Sequence, residues 1–114
     1  MSKEIELTWE ELEKNLIKYS VQIPNGCEKI GEYLRNNNIE IAVDNINNLL
    51  EGLNWIIRVK NFSLVENIEF PLDIVKILQI WADFNGKLAE RNYDDAADIL
   101  EYEFVEEFAV LNKN

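Results

Sequence analysis

The last predicted helix concentrates acidic side chains, and these are the residues of the chain best placed to do chemistry. They are Asp94, Asp95, Asp98, Glu101, Glu103, Glu106 and Glu107. Residues three or four apart are neighbours on a helix, so Asp94, Asp98 and Glu101 share one face and the last three glutamates share another. Carboxylate oxygens bind hard cations such as Mg²⁺ or Ca²⁺, but only when ligands converge from a second helix. We interpret these residues first as a solvated face, second as a partner-binding face and third as a metal site.

Recognised catalytic motifs are absent from the sequence. The chain has no His, which excludes a di-iron bundle with its Glu-x-x-His pairs and leaves the single Cys27 without an imidazole base. Cys27 falls on an apolar helical ladder and is predicted to be a core thiol. The chain contains two similar segments 54 residues apart, and Asp44 and Asp98 occupy equivalent positions in them. Both side chains are predicted to point outward. With no Gly-rich phosphate loop, nucleophile elbow or zinc-ligand spacing, we predict a protein that is not an enzyme and carries no cofactor or metal.

Two large aromatic residues lie off the apolar stripes of their helices. Trp55 belongs to the second helix, and Tyr102 lies among the glutamates of the fourth. Exposed aromatic residues with acidic neighbours are typical of binding surfaces, because the rings supply buried area and the charges supply specificity. The candidate partner-binding residues are therefore Trp55, Glu101, Tyr102, Glu103 and Glu106. The alternative is that an oblique helix crossing buries both rings in a wider core.

The formal net charge of the chain is −11, from 22 acidic and 11 basic residues. Such a surface repels nucleic-acid phosphates and anionic membranes, and no cluster of Lys and Arg reverses it. The excess of acid either only maintains solubility, the interpretation we prefer, or provides an acidic face for a basic protein partner. A second copy of the chain is the other partner considered. Residues 1–6 lack a signal-peptide pattern, and the longest apolar stretches, 53–59 and 74–82, are too short to span a bilayer. A cytoplasmic protein is expected.

A ladder of apolar residues occurs twice at a constant offset of 54 residues. The first copy is Ile23, Cys27, Ile30 and Leu34, and the second is Ile77, Trp81, Phe84 and Leu88. Each belongs to a helix-turn-helix unit that cannot bury its apolar face alone, and no strand pattern competes. At 114 residues and 47% hydrophobic content, the chain is predicted to be a single all-α domain over residues 1–114. The predicted fold is an antiparallel four-helix bundle built from two repeated αα-hairpins, at about 8–60 and 63–112.

Capping residues and prolines indicate the helix boundaries. Thr8 and Glu11 form a capping box at the start of the first helix. Pro24 either kinks this helix or divides it, and the apolar pattern on both sides favours one bent helix ending near Asn36.

The later boundaries follow from the same signals. The second helix is predicted from a cap at Asn38 to about Lys60. Ser63 opens a second capping-box pattern, and the third helix either starts at Pro71 or bends there. Asn92 caps the last helix.

The predicted buried faces follow from helical spacing. In the second helix they are Ile39, Val43, Ile46, Leu50, Leu53 and Ile57. In the third they are Ile74, Leu78, Trp81, Phe84 and Leu88. In the last they are Tyr93, Ala97, Leu100, Phe104, Phe108 and Leu111. Gly52, inside the second helix, indicates close approach by another helix or a small irregularity.

Two segments of the chain, residues 49–56 and 92–104, resemble segments of small uncharacterised helical-bundle proteins of Firmicutes such as clostridia. In those proteins the second helix carries a Leu-x-Gly-Leu-x-Trp-like segment, matched here by Leu50 to Trp55. The last helix begins with a Tyr-x-x-Ala-Asp-x-Leu-Glu-Tyr-Glu-like segment, matched by Tyr93 to Glu103. The resemblance implies a helical bundle without an assigned activity, and it transfers no functional residue.

Three classes of function fit these observations. The preferred one is a non-enzymatic interaction module, either an adaptor or a small chaperone-like bundle, that uses an acidic and aromatic face. The second is a small-molecule or cation-binding bundle. The third is an acidic mimic of nucleic acid, which requires carboxylates spaced along one surface, whereas here they concentrate at the ends and in the last helix.

Overall fold

The computed structural model describes residues 8–112, and within this range it contains helices and no strands. Three helices are α1 (Trp9–Arg35), α2 (Ile39–Val65) and α3 (Ile74–Ala89). The last helix, residues 93–112, consists of α4 (Tyr93–Asp98), a π-helical segment (Ile99–Phe104), α5 (Val105–Phe108) and a 3₁₀ turn (Ala109–Asn112). The predicted all-α four-helix bundle is confirmed. The prediction about a signal peptide concerns residues 1–6, which lie outside the described residues.

Helix α1 starts and continues as its sequence signals indicate. The Thr8 hydroxyl accepts a hydrogen bond from the Glu11 amide at 3.2 Å, which satisfies one of the free amides of the first turn. The helix passes through Pro24 without interruption and ends at Arg35. Pro24 therefore does not divide it into two helices.

The predicted boundary between the two hairpins is wrong. Helix α2 continues past Lys60 to Val65, and Ser63 is buried within it. The Ser63 hydroxyl donates to the Lys60 carbonyl at 2.6 Å instead of capping a new helix, because a serine inside a helix can bond back to the preceding turn. The third helix starts neither at Ser63 nor at Pro71. It starts at Ile74, where the Asp73 carboxylate accepts from the Lys76 amide at 3.1 Å.

The predicted buried face of α2 is correct at Ile46 and Leu53 but wrong at two positions, where the preceding residues Ala42 and Leu49 are buried instead. Val43 and Leu50 are 44% and 38% exposed. Helix α3 shows the same shift at one position, where Leu78 is exposed and Ile77 is fully buried. Apolar residues follow helical spacing on two adjacent faces of α2, so spacing alone does not select one of them. The buried apolar residues of α2 are Ala42, Ile46, Leu49, Leu53, Ile56 and Val59.

The two apolar ladders face the core, and the turns that follow them have the same geometry. All four residues of the first ladder are buried, and in the second ladder only Leu88 is half-buried. After α1, the amide of Asn38 donates to the Tyr33 carbonyl at 2.8 Å, and Asn37 has φ 62°. After α3, the amide of Asn92 donates to the Lys87 carbonyl at 2.9 Å, and the residue before it has φ 60°. Both are left-handed turns that satisfy helix-terminal carbonyls.

Helix α1 is the element that joins the two halves of the molecule. It packs against α2 on one side and against the last helix on the other, while α3 packs against the last helix. Helices α1 and α2 have 27 residues each, whereas α3 has 16. The long pair, about 40 Å at 1.5 Å per residue, extends the fold to 50 × 30 × 23 Å. The linker between α2 and α3 returns to the start of α1, where Phe70 packs edge-on against Trp9 with ring centroids 6.3 Å apart.

Candidate functional site: the acidic face of the last helix

The π-helical segment (Ile99–Phe104) contains three of the predicted site residues, Glu101, Tyr102 and Glu103. Its wider turn is visible in the hydrogen bond from the Val105 amide to the carbonyl of Leu100, five residues earlier. A π-helical turn contains more residues than the 3.6 of an α-helical turn, so residues four apart stay on the same side of the helix. Leu100, Phe104 and Phe108 are spaced four apart and all are buried. The core spacing thus accounts for the wide turn, and π-helical turns are frequent at functional sites.

Arg35, at the end of α1, binds two carboxylates of the last helix at once. Its Nη1 donates to Glu101 Oε2 at 2.8 Å and its Nη2 to Asp98 Oδ1 at 2.7 Å. The hydrogen bond to Glu101 contributes most to raising the pKa of Arg35, and the bond to Asp98 adds to it. The guanidinium therefore stays charged. Asp98 and Glu101 are three residues apart on one face, as the spacing predicts. Sequence reasoning missed Arg35, because nothing in a sequence identifies which cation of a distant helix meets an Asp-x-x-Glu pair.

Glu101 is held deep against α1 and does not stand free as an acidic surface residue. Gly31 of α1 is buried beneath it, and a Cβ at that position would overlap the Glu101 carboxylate. Burial, together with the negative charge of Glu101, raises the pKa of the Cys27 thiol to about 12. The predicted core thiol is confirmed, since Cys27 is a free, fully buried cysteine. At neutral pH it is a protonated thiol without nucleophilic character.

Tyr102 is the most exposed aromatic side chain among the described residues, at 68%. It lines a shallow depression on the side of the last helix that faces α1, together with Pro24, Glu28, Glu101 and Val105. We call these five residues the Tyr102 face. It combines an exposed ring, a proline and two carboxylates.

Two further predicted acidic residues, Glu103 and Glu107, point towards α3. Glu103 and Glu106 are exposed, and Glu103 lines a depression with Asp83 and Lys87 of α3. Glu107 forms an ion pair with Lys76 of α3 at 3.2 Å. The acidic residues therefore point towards both neighbouring helices, and among residues 8–112 no group of three or more possible metal ligands comes together.

Trp55 lies apart from the Tyr102 face, between α1 and α2. It is half-buried, packs against the core, and meets Tyr19 edge-on at a centroid distance of 6.3 Å. Tyr19 in turn covers Gly52, so the predicted close approach at this glycine is confirmed. Of the two aromatic candidates, the structure packs Trp55 into a helix interface and leaves Tyr102 in solvent.

A third depression, the α1–α2 cleft, lies next to this aromatic pair. Polar groups from Tyr19, Gln22, Asn45 and Asn48 line it, and its apolar lining includes Ile23 and Leu49. Burial raises the pKa of Tyr19 to about 12, so the phenol is uncharged at neutral pH. In a chain of formal net charge −11, this cleft has no charged side chain in its lining.

The comparisons with known proteins place the chain in a family. Residues 11–114 match the family model DUF8042, described as a domain of unknown function, and the chain belongs to this family. No curated protein and no solved structure matches the chain. Across the described helices, none is long and apolar enough to cross a membrane.

Proposed function

We propose that the chain is a non-enzymatic interaction module, an adaptor or small chaperone-like bundle, whose docking surface is the Tyr102 face. The observation that carries this proposal is the 68% exposure of Tyr102 beside Pro24 and two carboxylates. An exposed ring next to a proline and two carboxylates offers a partner both apolar area to bury and charges to pair, and aromatic residues dominate the energetics of interface centres.

The charge around the face supports a basic partner. Glu28 and Tyr102 lie within it, and Glu106, four residues beyond Tyr102, extends the acidic character along the helix. Glu101 contributes less free charge because Arg35 neutralises it. A basic segment of another protein fits this chemistry, whereas nucleic acid and anionic lipid carry the wrong charge. A cytoplasmic location, and a bacterial origin of the kind that the resemblance to clostridial bundles implies, complete the proposal.

Stoichiometric affinity capture with matched variants tests this function. Wild-type chain is used as bait beside Tyr102→Ala and the control Val75→Ala, which removes an equally exposed side chain from α3. The captured protein is expected to bind wild type and Val75→Ala equally, to be lost with Tyr102→Ala, and to dissociate as salt rises through several tenths molar. Capture that survives Tyr102→Ala in full contradicts the docking role of this face.

A second function, binding of a small neutral molecule, is favoured by the uncharged lining of the α1–α2 cleft. Gly26 lines this cleft, and a Cβ added there meets no atom within 4 Å. Gly26→Leu is therefore expected to fill the cleft without disturbing the core. Gly86 is equally open on α3, so Gly86→Leu is the matched control. A neutral compound that raises the melting temperature of wild type and Gly86→Leu, but not of Gly26→Leu, supports this function. A panel of neutral compounds with no effect on wild type argues against it.

A further inference from the structure

The flank of α2 beside its buried face carries a second stripe of residues, whose apolar members other than Ile57 are exposed. Within the described residues, α1 is the helix against which α2 packs closely, and the cleft between them is lined on the α2 side by Asn45, Asn48 and Leu49. The second stripe lies one residue further round the helix from the buried face. We define the α2 stripe as Val43, Asn47, Leu50, Asn54, Ile57, Asn61 and Leu64.

The spacing of the α2 stripe is that of a coiled-coil seam. Its steps alternate four and three over three heptads, with an asparagine at every other position. Val43, Leu50 and Leu64 are 44%, 38% and 61% exposed, and Ile57 is half-buried. Two-stranded coiled coils pair helices through apolar residues at this spacing, and a polar residue such as asparagine at a seam position specifies register at a cost in stability. Here asparagines occupy alternate positions of the stripe, so only the spacing, and not the full apolar composition, is that of a coiled coil.

The sequence of the α2 stripe is symmetric about Asn54. Reading outward in both directions, Leu50 corresponds to Ile57, Asn47 to Asn61, and Val43 to Leu64. A second α2 running antiparallel, with a two-fold axis near Asn54, therefore brings apolar residues near apolar residues and asparagine near asparagine. This self-complementarity is what an isologous two-fold interface requires.

The charges at the edge of the stripe have the same symmetry. Glu51 and Arg58 are both exposed and flank Asn54 on the solvent side of the stripe. In the antiparallel arrangement Glu51 of one copy lies opposite Arg58 of the other, twice in the dimer. In a parallel arrangement the two residues fall on opposite sides of the seam and do not meet. The net charge of the chain opposes association at long range, but physiological salt screens charges beyond about 8 Å.

We infer that α2 associates with the α2 of a second copy of this chain, antiparallel, through the α2 stripe. The three asparagines make the pair weak and reversible. This surface is separate from the Tyr102 face, so a dimer formed through α2 leaves Tyr102 exposed to a partner.

Sedimentation equilibrium between about 10 µM and 1 mM tests the association. Wild type is expected to show a reversible monomer–dimer equilibrium. Glu51→Arg and Arg58→Glu each place like charges opposite one another at both pairs, and each is expected to weaken the dimer on the order of tenfold. The double exchange, Glu51→Arg with Arg58→Glu, restores opposite charges and is expected to recover wild-type affinity. Glu69→Lys, an exposed substitution in the linker after α2, is the control and leaves the dimer unchanged.

Disulfide trapping tests the direction of the pairing. The native Cys27 is buried and does not compete. In an antiparallel dimer, Asn54→Cys lies near its own counterpart and cross-links on mild oxidation, whereas Asn47→Cys is about 20 Å from its counterpart along the helix and does not. Cross-linking of both variants shows parallel pairing and overturns the inference. A wild-type chain that stays monomeric at the highest concentration overturns it as well, as does a dimer that none of the charge substitutions affects.

Discussion

The two hairpins of this bundle bury corresponding ladders and end their first helices in the same left-handed turn, yet they expose different chemistry. In the α1–α2 hairpin, Trp55 and Tyr19 pack together beside an uncharged cleft. In the hairpin of α3 and the last helix, a cluster of Trp81, Phe84 and Phe104 fills the core, and the acidic residues lie outside. A matching core pattern therefore leaves the outward faces free to differ, and the candidate sites lie there.

The largest expected effect concerns the aromatic cluster of the second hairpin. Phe104 is fully buried between Trp81 and Phe108, with ring centroids 5.7 and 5.2 Å away. Phe104→Ala is expected to lower the free energy of unfolding by about 3–5 kcal/mol because it opens a cavity in the core. Trp55→Ala, at a half-buried ring, is expected to cost less. Urea denaturation measures the free energy of unfolding of both variants. Equal losses would contradict the expected difference in core packing between the two hairpins.

Glycine substitutions compare how closely helices approach one another in the two hairpins. A Cβ at Gly52 would overlap the Tyr19 ring, so Gly52→Ala is expected to lower the free energy of unfolding by about 1–3 kcal/mol, because overpacking outweighs the gain in helix propensity. Gly86 is open, and Gly86→Ala is expected to raise it by about 0.5–1 kcal/mol. Thermal unfolding of the pair gives the sign of each change. A stabilising Gly52→Ala would show that Tyr19 moves aside freely.

Alkaline pH is expected to destabilise the chain through two groups of α1. Burial raises the pKa of Cys27 from 9.0 to about 12 and that of Tyr19 from 10.0 to about 12. Above pH 9 the unfolded state releases these protons while the folded state retains them, so stability is complete below pH 9 and falls between pH 9 and 12. The urea midpoint measured against pH shows this fall. Tyr19→Phe and Cys27→Ala are each expected to make it shallower, and a wild-type midpoint that stays constant over that range contradicts the prediction.

The smallest effect is expected at the ion pairs that join α1 to the last helix. Asp98 is 59% exposed, whereas Glu101 is 16% exposed. Asp98→Asn is therefore expected to cost less than about 0.5 kcal/mol and Glu101→Gln about 1 kcal/mol, since solvent and salt screen the more exposed partner. Denaturation at low and high salt distinguishes the two. If Asp98→Asn lowers the free energy of unfolding more than Glu101→Gln does, solvent exposure does not determine the relative strength of these two ion pairs.

Much of the fold was readable from local signals. The caps at Thr8 and Asn92 are predicted from residue type alone, because capping depends on a few neighbouring residues. Asn38, predicted as a cap by the same rule, precedes α2 but makes no side-chain cap hydrogen bond. The two buried ladders are predicted as well, because the same apolar spacing occurs twice along the chain. The same local rules failed at Ser63, where burial inside α2 outweighed the capping pattern.

The sequence by itself determined that the chain folds into helices, the caps at Thr8 and Asn92 and the two ladders, and it singled out the acidic and aromatic residues of the last helix. Only the tertiary structure decided which of two adjacent faces α2 buries, that Arg35 holds Asp98 and Glu101, and that Trp55 packs on Tyr19 while Tyr102 stays in solvent. The reason is physical. Caps and periodicity act within a few residues along the chain, whereas the face that a helix buries depends on which other helix approaches it and at what angle.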